Sequence, residues 1–162
     1  MLQHWIWFAH RPSLTDRMKL ALLQHFQDPE ELYFADSDAY DLVEGLTPEA
    51  KESLQDKTLT AAEEILEICR QKRIHLLTIR DAGFPSKLKN IADPPVLLYY
   101  KGTLPDLDGS PVIGIVGTRK ASAYGMQTAK RMGYQIAKCG GIVVSGMAFG
   151  IDGMAMSGAL TA

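Results

Sequence analysis

The chain has 162 residues, 46% of them hydrophobic and 22% charged, with a formal net charge of -2. That composition is ordinary for a globular protein of one domain or two small ones, and no apolar run approaches the ~20 residues of a membrane span. Its two cysteines, Cys69 and Cys139, have neither CxxC spacing nor a histidine cluster, which argues against a disulfide framework and against a zinc site.

Both thiols are expected to be buried, in a reducing cytoplasm. The N-terminal MLQHWIWFAH lacks a basic n-region and a small-residue cleavage site, so it does not read as a signal peptide. Charge is unevenly spread. From Pro111 onward five basic residues face one acid, Asp152, whereas the first 110 residues carry 12 basic and 18 acidic ones. A basic C-terminal part on an acidic chain suggests an anionic ligand there, although Lys130, Arg131 and Lys138 also fit the solvated face of a helix.

Residues 1 to about 73 read as a small helical bundle made of short pieces. Trp5-Ile6-Trp7-Phe8 is an apolar cluster suited to a core. Ser13-Leu14-Thr15-Asp16 resembles a capping box, with Asp in place of Glu or Gln. It would open a helix in which Leu14, Met18, Ala21, Leu22 and Phe26 recur at helical intervals. Pro29 can open the next helix, Asp36 or Ser37 a short one ending at Gly45, and Thr47-Pro48 repeats the cap-then-proline signal. A longer helix is expected from Thr60, or Thr58, through Ala62, Ile65, Leu66 and Cys69.

From Ile74 the pattern changes. Ile74–Ile79 and Val96–Tyr100 read as two strands, separated by a turn, a short helix around Ser86–Ile91 and the rigid Pro94-Pro95. Residues 74–110 form this hairpin-like entry segment and a linker rich in Gly, Pro and Asp.

The remaining stretch, 111–162, predicts α/β structure. Val112–Val116 is short, apolar and β-branched, as a buried strand would be. Ser122 offers a helix N-cap, and Met126, Ala129, Met132 or Gly133, Ile136 and Ala137 share one face through Lys138. Cys139-Gly140-Gly141 stops that helix. Ile142–Val144 then makes a second strand ending in Ser145-Gly146, and a second helix starts near Gly150 or Asp152. Strand, turn, helix, strand is the opening of a Rossmann-like parallel sheet. Two parallel strands need cover on both faces, so this part is expected either to be the first portion of a longer domain or to borrow strands from another chain.

The turn chemistry narrows the ligand. There is no G-x-G-x-x-G between strand and helix, no carboxylate at the end of the second strand to read a ribose, and no Walker A sequence, which disfavours dinucleotide and NTP chemistry. What remains is a phosphate-sized cradle. Backbone N–H groups at Gly117–Ser122 would point from a helix N-terminus, Arg119 could grip a phosphate bidentately and Lys120 would add a point charge. Ser145 and Gly146 on the neighbouring turn would supply a hydroxyl and a close backbone approach, unless Ser145 merely forms a turn. Asp152 reads as a helix-start carboxylate serving backbone N–H groups. Tyr124 or Phe149 could belong to the core, or stack on bases were the ligand a nucleic acid. All four histidines lie outside this stretch, and no triad order or metal constellation is present, so no catalytic residue, metal or cofactor is expected.

These residues resemble the DNA-processing protein A (DprA/Smf) family, in the N-terminal part of its members. The resemblance rests on Gly114-Ile115-Val116-Gly117-Thr118-Arg119, Ser122-x-Tyr124-Gly125, and the specific run Ser145-Gly146-Met147-Ala148-x-Gly150-Ile151-Asp152, closing with Gly158-Ala159-Leu160. Upstream, Phe84-Pro85-x-x-Leu88 and Asp93-Pro94-Pro95 through Gly102 are similar to the family's entry into its Rossmann-like domain. Residues 1–73 resemble its sterile-alpha-motif-like domain, although the glycine-rich hairpin of that domain is replaced by Arg11-Pro12-Ser13-Leu14-Thr15. Met156 stands where members usually carry His.

The resemblance implies a cytoplasmic, non-enzymatic protein. It would bind single-stranded DNA, load a RecA-type recombinase during natural transformation, form a homodimer at full length and stay off the membrane. Carried over by position, the DNA-phosphate pocket falls on Gly117, Thr118, Arg119, Ser145 and Gly146, with Lys120, Ser122 and Tyr124 beside them. The readings from other classes are a Rossmann-like nucleotide or phosphoribosyl hydrolase using Arg119 and Asp152, and a pure interaction module.

Overall fold

The computed structural model describes residues 2–162, which divide into two compact units, one ending at Leu104 and one starting at Pro105. In the first unit, helix α1 (Leu2–Ala9) buries five consecutive residues, His4 to Phe8. A helix apolar all round belongs at the centre, and α1 packs there against α3 (Pro29–Phe34) and α5 (Thr60–Lys72). Helix α2 (Asp16–His25) adds Leu22 and Leu23 to the same core, and α4 (Pro48–Gln55) adds Ala50 and Leu54.

Capping chemistry sets most of these boundaries. The Asp28 carboxylate accepts from Glu30 N (2.8 Å) and Glu31 N (3.0 Å) ahead of Pro29, and Thr47 Oγ1 accepts from Ala50 N ahead of Pro48. Two expectations change. Thr15, not Ser13, caps α2, accepting from Met18 N (3.2 Å), because Ser13 lies in the left-handed region at φ 62° and cannot take the extended geometry of an N-cap. The segment opened by Asp36 is a 3-10 turn, Ser37–Leu42, that ends before Gly45.

Strand β1 (Ile74–Thr78) pairs antiparallel with β2 (Leu97–Lys101), His75 opposite Tyr100 and Leu77 opposite Leu98. The short helix α6 (Ser86–Lys89) lies between them. Ile79, Phe84, Val96 and Leu97 are buried in one cluster with Trp5, Phe8 and Leu22. The hairpin therefore completes the helical core instead of forming a separate entry segment, and the chain passes to the second unit inside the Gly/Pro/Asp-rich loop.

In the second unit β3 (Val112–Gly114) and β4 (Ile142–Val144) are parallel neighbours joined through α7 (Ala123–Lys138), and α8 (Ile151–Ala159) follows β4. This is the expected Rossmann-like opening. Ser122 Oγ accepts from Gly125 N (3.2 Å) as the cap of α7, and Gly140 leaves the helix at φ 80°. Of the alternatives on α7, Gly133 is buried and Met132 is 51% exposed. The reason is α8, which crosses so closely that a Cβ on Gly133 would lie 2.0 Å from Ala155 O, and one on Gly158 1.9 Å from Lys130 O.

The strands are less buried than their sequence suggests: β3 ends at Gly114, and Ile113 and Val144 are exposed, since each strand has a single strand neighbour. Cys69 is buried but Cys139, at the C-cap of α7, is exposed. No helix among the described residues is long and apolar enough to cross a membrane.

Candidate functional site

The turn after β3 and the turn after β4 lie side by side, and hydrogen bonds lock them together. Ile115 N donates to Val144 O (3.0 Å), extending the ladder past the strands. Ser145 Oγ donates to Ile115 O (2.7 Å). Gly117 N donates to Asp152 Oδ1 (3.0 Å), and Ile151 N to Thr118 O (3.3 Å). Asp152 is only 6% exposed, and a Cβ on Gly146 would sit 3.3 Å from its other oxygen, so one buried carboxylate underlies both turns.

Two glycines make the approach possible. At Gly150, φ is 85° and a Cβ would lie 2.3 Å from Thr118 O, so an L side chain would be both strained and in collision. At Gly117 a Cβ would lie 2.7 Å from the Ile151 side chain.

The eight residues singled out from sequence are thus brought together but divide by task. Gly117, Ser145 and Gly146 build the turns: the Gly117 N–H is taken by Asp152, and the Ser145 hydroxyl by a carbonyl. Thr118 Oγ1 accepts from Lys120 N (3.2 Å), which shapes the loop, and Ser122 caps α7. Arg119, Lys120 and Tyr124 are exposed, and neither Arg119 nor Lys120 makes an ion pair among the described residues.

Tyr124 is 79% exposed and Phe149 88%, which decides against a core role for either ring. Asp152 serves a backbone N–H, as expected, but one on the other turn rather than on its own helix. Sequence reasoning missed Met147, which is exposed with φ 54°. Nothing in a methionine announces a left-handed turn position, where Gly or Asn is the usual occupant. Chemically, the surface offers two cations and the exposed Phe149 ring on a hydrogen-bonded double turn, with the exposed Tyr124 ring in the first turn of the adjoining 16-residue helix.

A model of the family described as DNA recombination-mediator protein A matches residues 75–162. The chain belongs to that family. Similar family members include DNA processing protein DprA of Bacillus subtilis, 39% identical over 98 residues that make up 60% of this chain and 33% of that protein. Protein Smf of Synechocystis sp. is 32% identical over 162 residues, 97% of this chain and 40% of that protein. The chain thus spans 33% and 40% of the length of these two relatives.

The X-ray structure of DNA processing protein A from Streptococcus pneumoniae matches with a TM-score of 0.71 at 25% identity, over 99% of this chain and 54% of that one. Both the double turn and the hairpin from His75 onward fall inside the segment matched to the recombination-mediator family.

Proposed function

We propose that this chain binds single-stranded DNA through the double turn, and does so by contact rather than catalysis. The observation that carries the reading is the grouping of Arg119, Lys120 and exposed Phe149 on turns tied together by Asp152, with exposed Tyr124 in the first turn of α7 beside them. Cations on a fixed loop hold phosphates without reading sequence, and exposed rings stack on unpaired bases, which a duplex does not offer. The relatives' names, DNA processing protein and recombination mediator, support a nucleic-acid ligand over a small phosphorylated substrate.

In this reading the protein works in the cytoplasm during natural transformation. It holds incoming strands, at full length as a homodimer with a sterile-alpha-motif-like helical part, and passes them to a RecA-type recombinase.

Fluorescence anisotropy of a labelled oligonucleotide across a salt series tests it. Expected are preference for the single strand over duplex, an affinity that falls with salt, and a loss on Arg119→Ala. Binding that ignores Arg119, or that favours mononucleotides, overturns the assignment of this surface.

A further inference from the structure

The charge of the first unit is segregated. Residues 2–67 hold five basic and 14 acidic side chains, whereas from Ile68 to Lys101 there are seven basic and two acidic. Three of these basic residues lie at the open end of the hairpin. Lys72 and Arg73 close α5, with Arg73 in the left-handed C-cap conformation (φ 52°) that turns the chain straight into β1. Lys101 lies opposite Ile74 across the ladder. All three are exposed, and none makes an ion pair among the described residues. The nearest acid along α5, Glu67, is already engaged by Arg70 (3.8 Å) and by Gln71 Nε2 (3.0 Å).

At the same end His75 and Tyr100 form a directly opposed cross-strand pair whose rings stack at 5.0 Å with 26° between planes. The sheet has two strands only, so no neighbouring strand covers the outer side of either ring. Tyr99, by contrast, points to the other face and is committed to His10, 3.0 Å from its hydroxyl. An aromatic stack one residue in from strand ends that carry cations is the chemistry of a single-strand platform, with phosphates on the lysines and arginine and a base added to the end of the stack.

We infer that the open end of the β1–β2 hairpin, where Lys72, Arg73 and Lys101 border the strand ends that carry the His75–Tyr100 stack, is a second contact site for single-stranded nucleic acid. The inference rests on the reading that the chain binds single-stranded DNA, and it adds to the double turn a contact on the first unit.

The experiment uses the whole chain, with Lys72→Glu/Lys101→Glu and Tyr100→Leu as variants and Arg119→Ala run alongside. Each phosphate contact on a single strand contributes about 0.7 to the slope of log affinity against log salt, so the charge-reversed double variant is expected to lose about 1.4. Photocrosslinking of an oligonucleotide carrying 5-iododeoxyuridine is expected to label the peptides containing His75 or Tyr100, and Tyr100→Leu to lose the Tyr100 label. Lys72, Lys101 and Arg119 are exposed and Tyr100 is half-buried, and an unchanged thermal melt confirms folding of each variant.

Binding with an unchanged slope and no hairpin crosslink overturns the second site while leaving the double turn in place. A reduced slope in the double variant with no effect of Arg119→Ala supports the second site and overturns the first. A reduced slope without a crosslink overturns the stacking platform, leaving charge alone. Absence of any binding by the unmodified chain overturns both.

Discussion

The backbone N–H of Gly117 donates to Oδ1 of Asp152 over 3.0 Å, tying the turn after β3 to the first turn of α8 across 35 positions of sequence. Asp152 is buried, so removing its carboxylate leaves the Gly117 donor without a partner beneath the double turn. Asp152→Ala is expected to cost about 1–3 kcal/mol in urea unfolding, the range for stranding a buried hydrogen-bonding group. Asp152→Asn keeps an acceptor oxygen and is expected to cost less. If the alanine variant matches the unmodified chain, the bond does not hold the turns.

The crossing of α7 and α8 yields a steric prediction. Gly158→Ala would place a methyl group 1.9 Å from Lys130 O, and Gly133→Ala one 2.0 Å from Ala155 O, both against backbone that cannot swing aside. Each is expected to destabilise by about 1–3 kcal/mol as the helices are forced apart. Gly114→Ala is the control: a Cβ there meets nothing within 4 Å, and its effect is expected to stay within about 0.5 kcal/mol. Equal thermal shifts for all three would show that the close crossing carries no stability.

What the sequence disclosed was local. The Ser122 cap, the Gly140 stop and the Pro29 and Thr47-Pro48 starts are decided within four residues of chain, and each stands where the sequence reading put it. The parallel pair β3–β4 followed from two apolar runs with a helix between them. Long-range facts were illegible. Nothing near Gly117 announces that its N–H belongs to a residue 35 positions on, and nothing in Ile79 or Val96 says that the hairpin shares a core with Trp5. Ser13 misled as a cap because its left-handed conformation depends on how the loop after α1 closes. Cys139 was read as buried from its residue type, whereas its place at a helix C-cap leaves it exposed.

Tyr124 and Phe149 separate binding from stability. Both rings are largely in solvent, so alanine at either position is expected to leave the melting temperature within about 1 °C of the unmodified chain, surface changes of this kind costing within about 0.5 kcal/mol. Stacking on a base is worth about 1–3 kcal/mol, so each variant is expected to weaken single-stranded DNA binding about 5- to 150-fold. Tyr124→Phe keeps the ring face and is expected to bind normally. Unchanged affinity in both alanine variants would leave phosphate contacts as the sole basis of binding.

Asp56 and Lys57, adjacent in the loop between α4 and α5, make stability rise with pH in two separate windows. The Asp56 carboxylate is held at about 2, against 3.8, by hydrogen bonds from Thr58, side chain then backbone, and by Arg11, whose Nη1 lies 3.0 Å away. Its contribution is therefore full above about pH 4 and lost as pH falls through about 2. Lys57 is pushed to about 8, against 10.5, mainly by burial and secondarily by the charge of Arg11. That shift holds although its ammonium faces the rings of Trp7, Tyr33 and Tyr40 and donates to the Tyr40 hydroxyl (2.6 Å). Between pH 8 and 10.5 the unfolded chain binds more protons at Lys57 than the folded one, so this contribution grows as pH rises. Urea unfolding from pH 2 to 5 and from pH 7 to 10.5 checks both. Asp56→Asn is expected to flatten the acid limb alone, and Lys57→Met the alkaline limb alone. An alkaline slope that survives Lys57→Met would mean that the rings and the Tyr40 oxygen hold the ammonium charged against the cost of its burial.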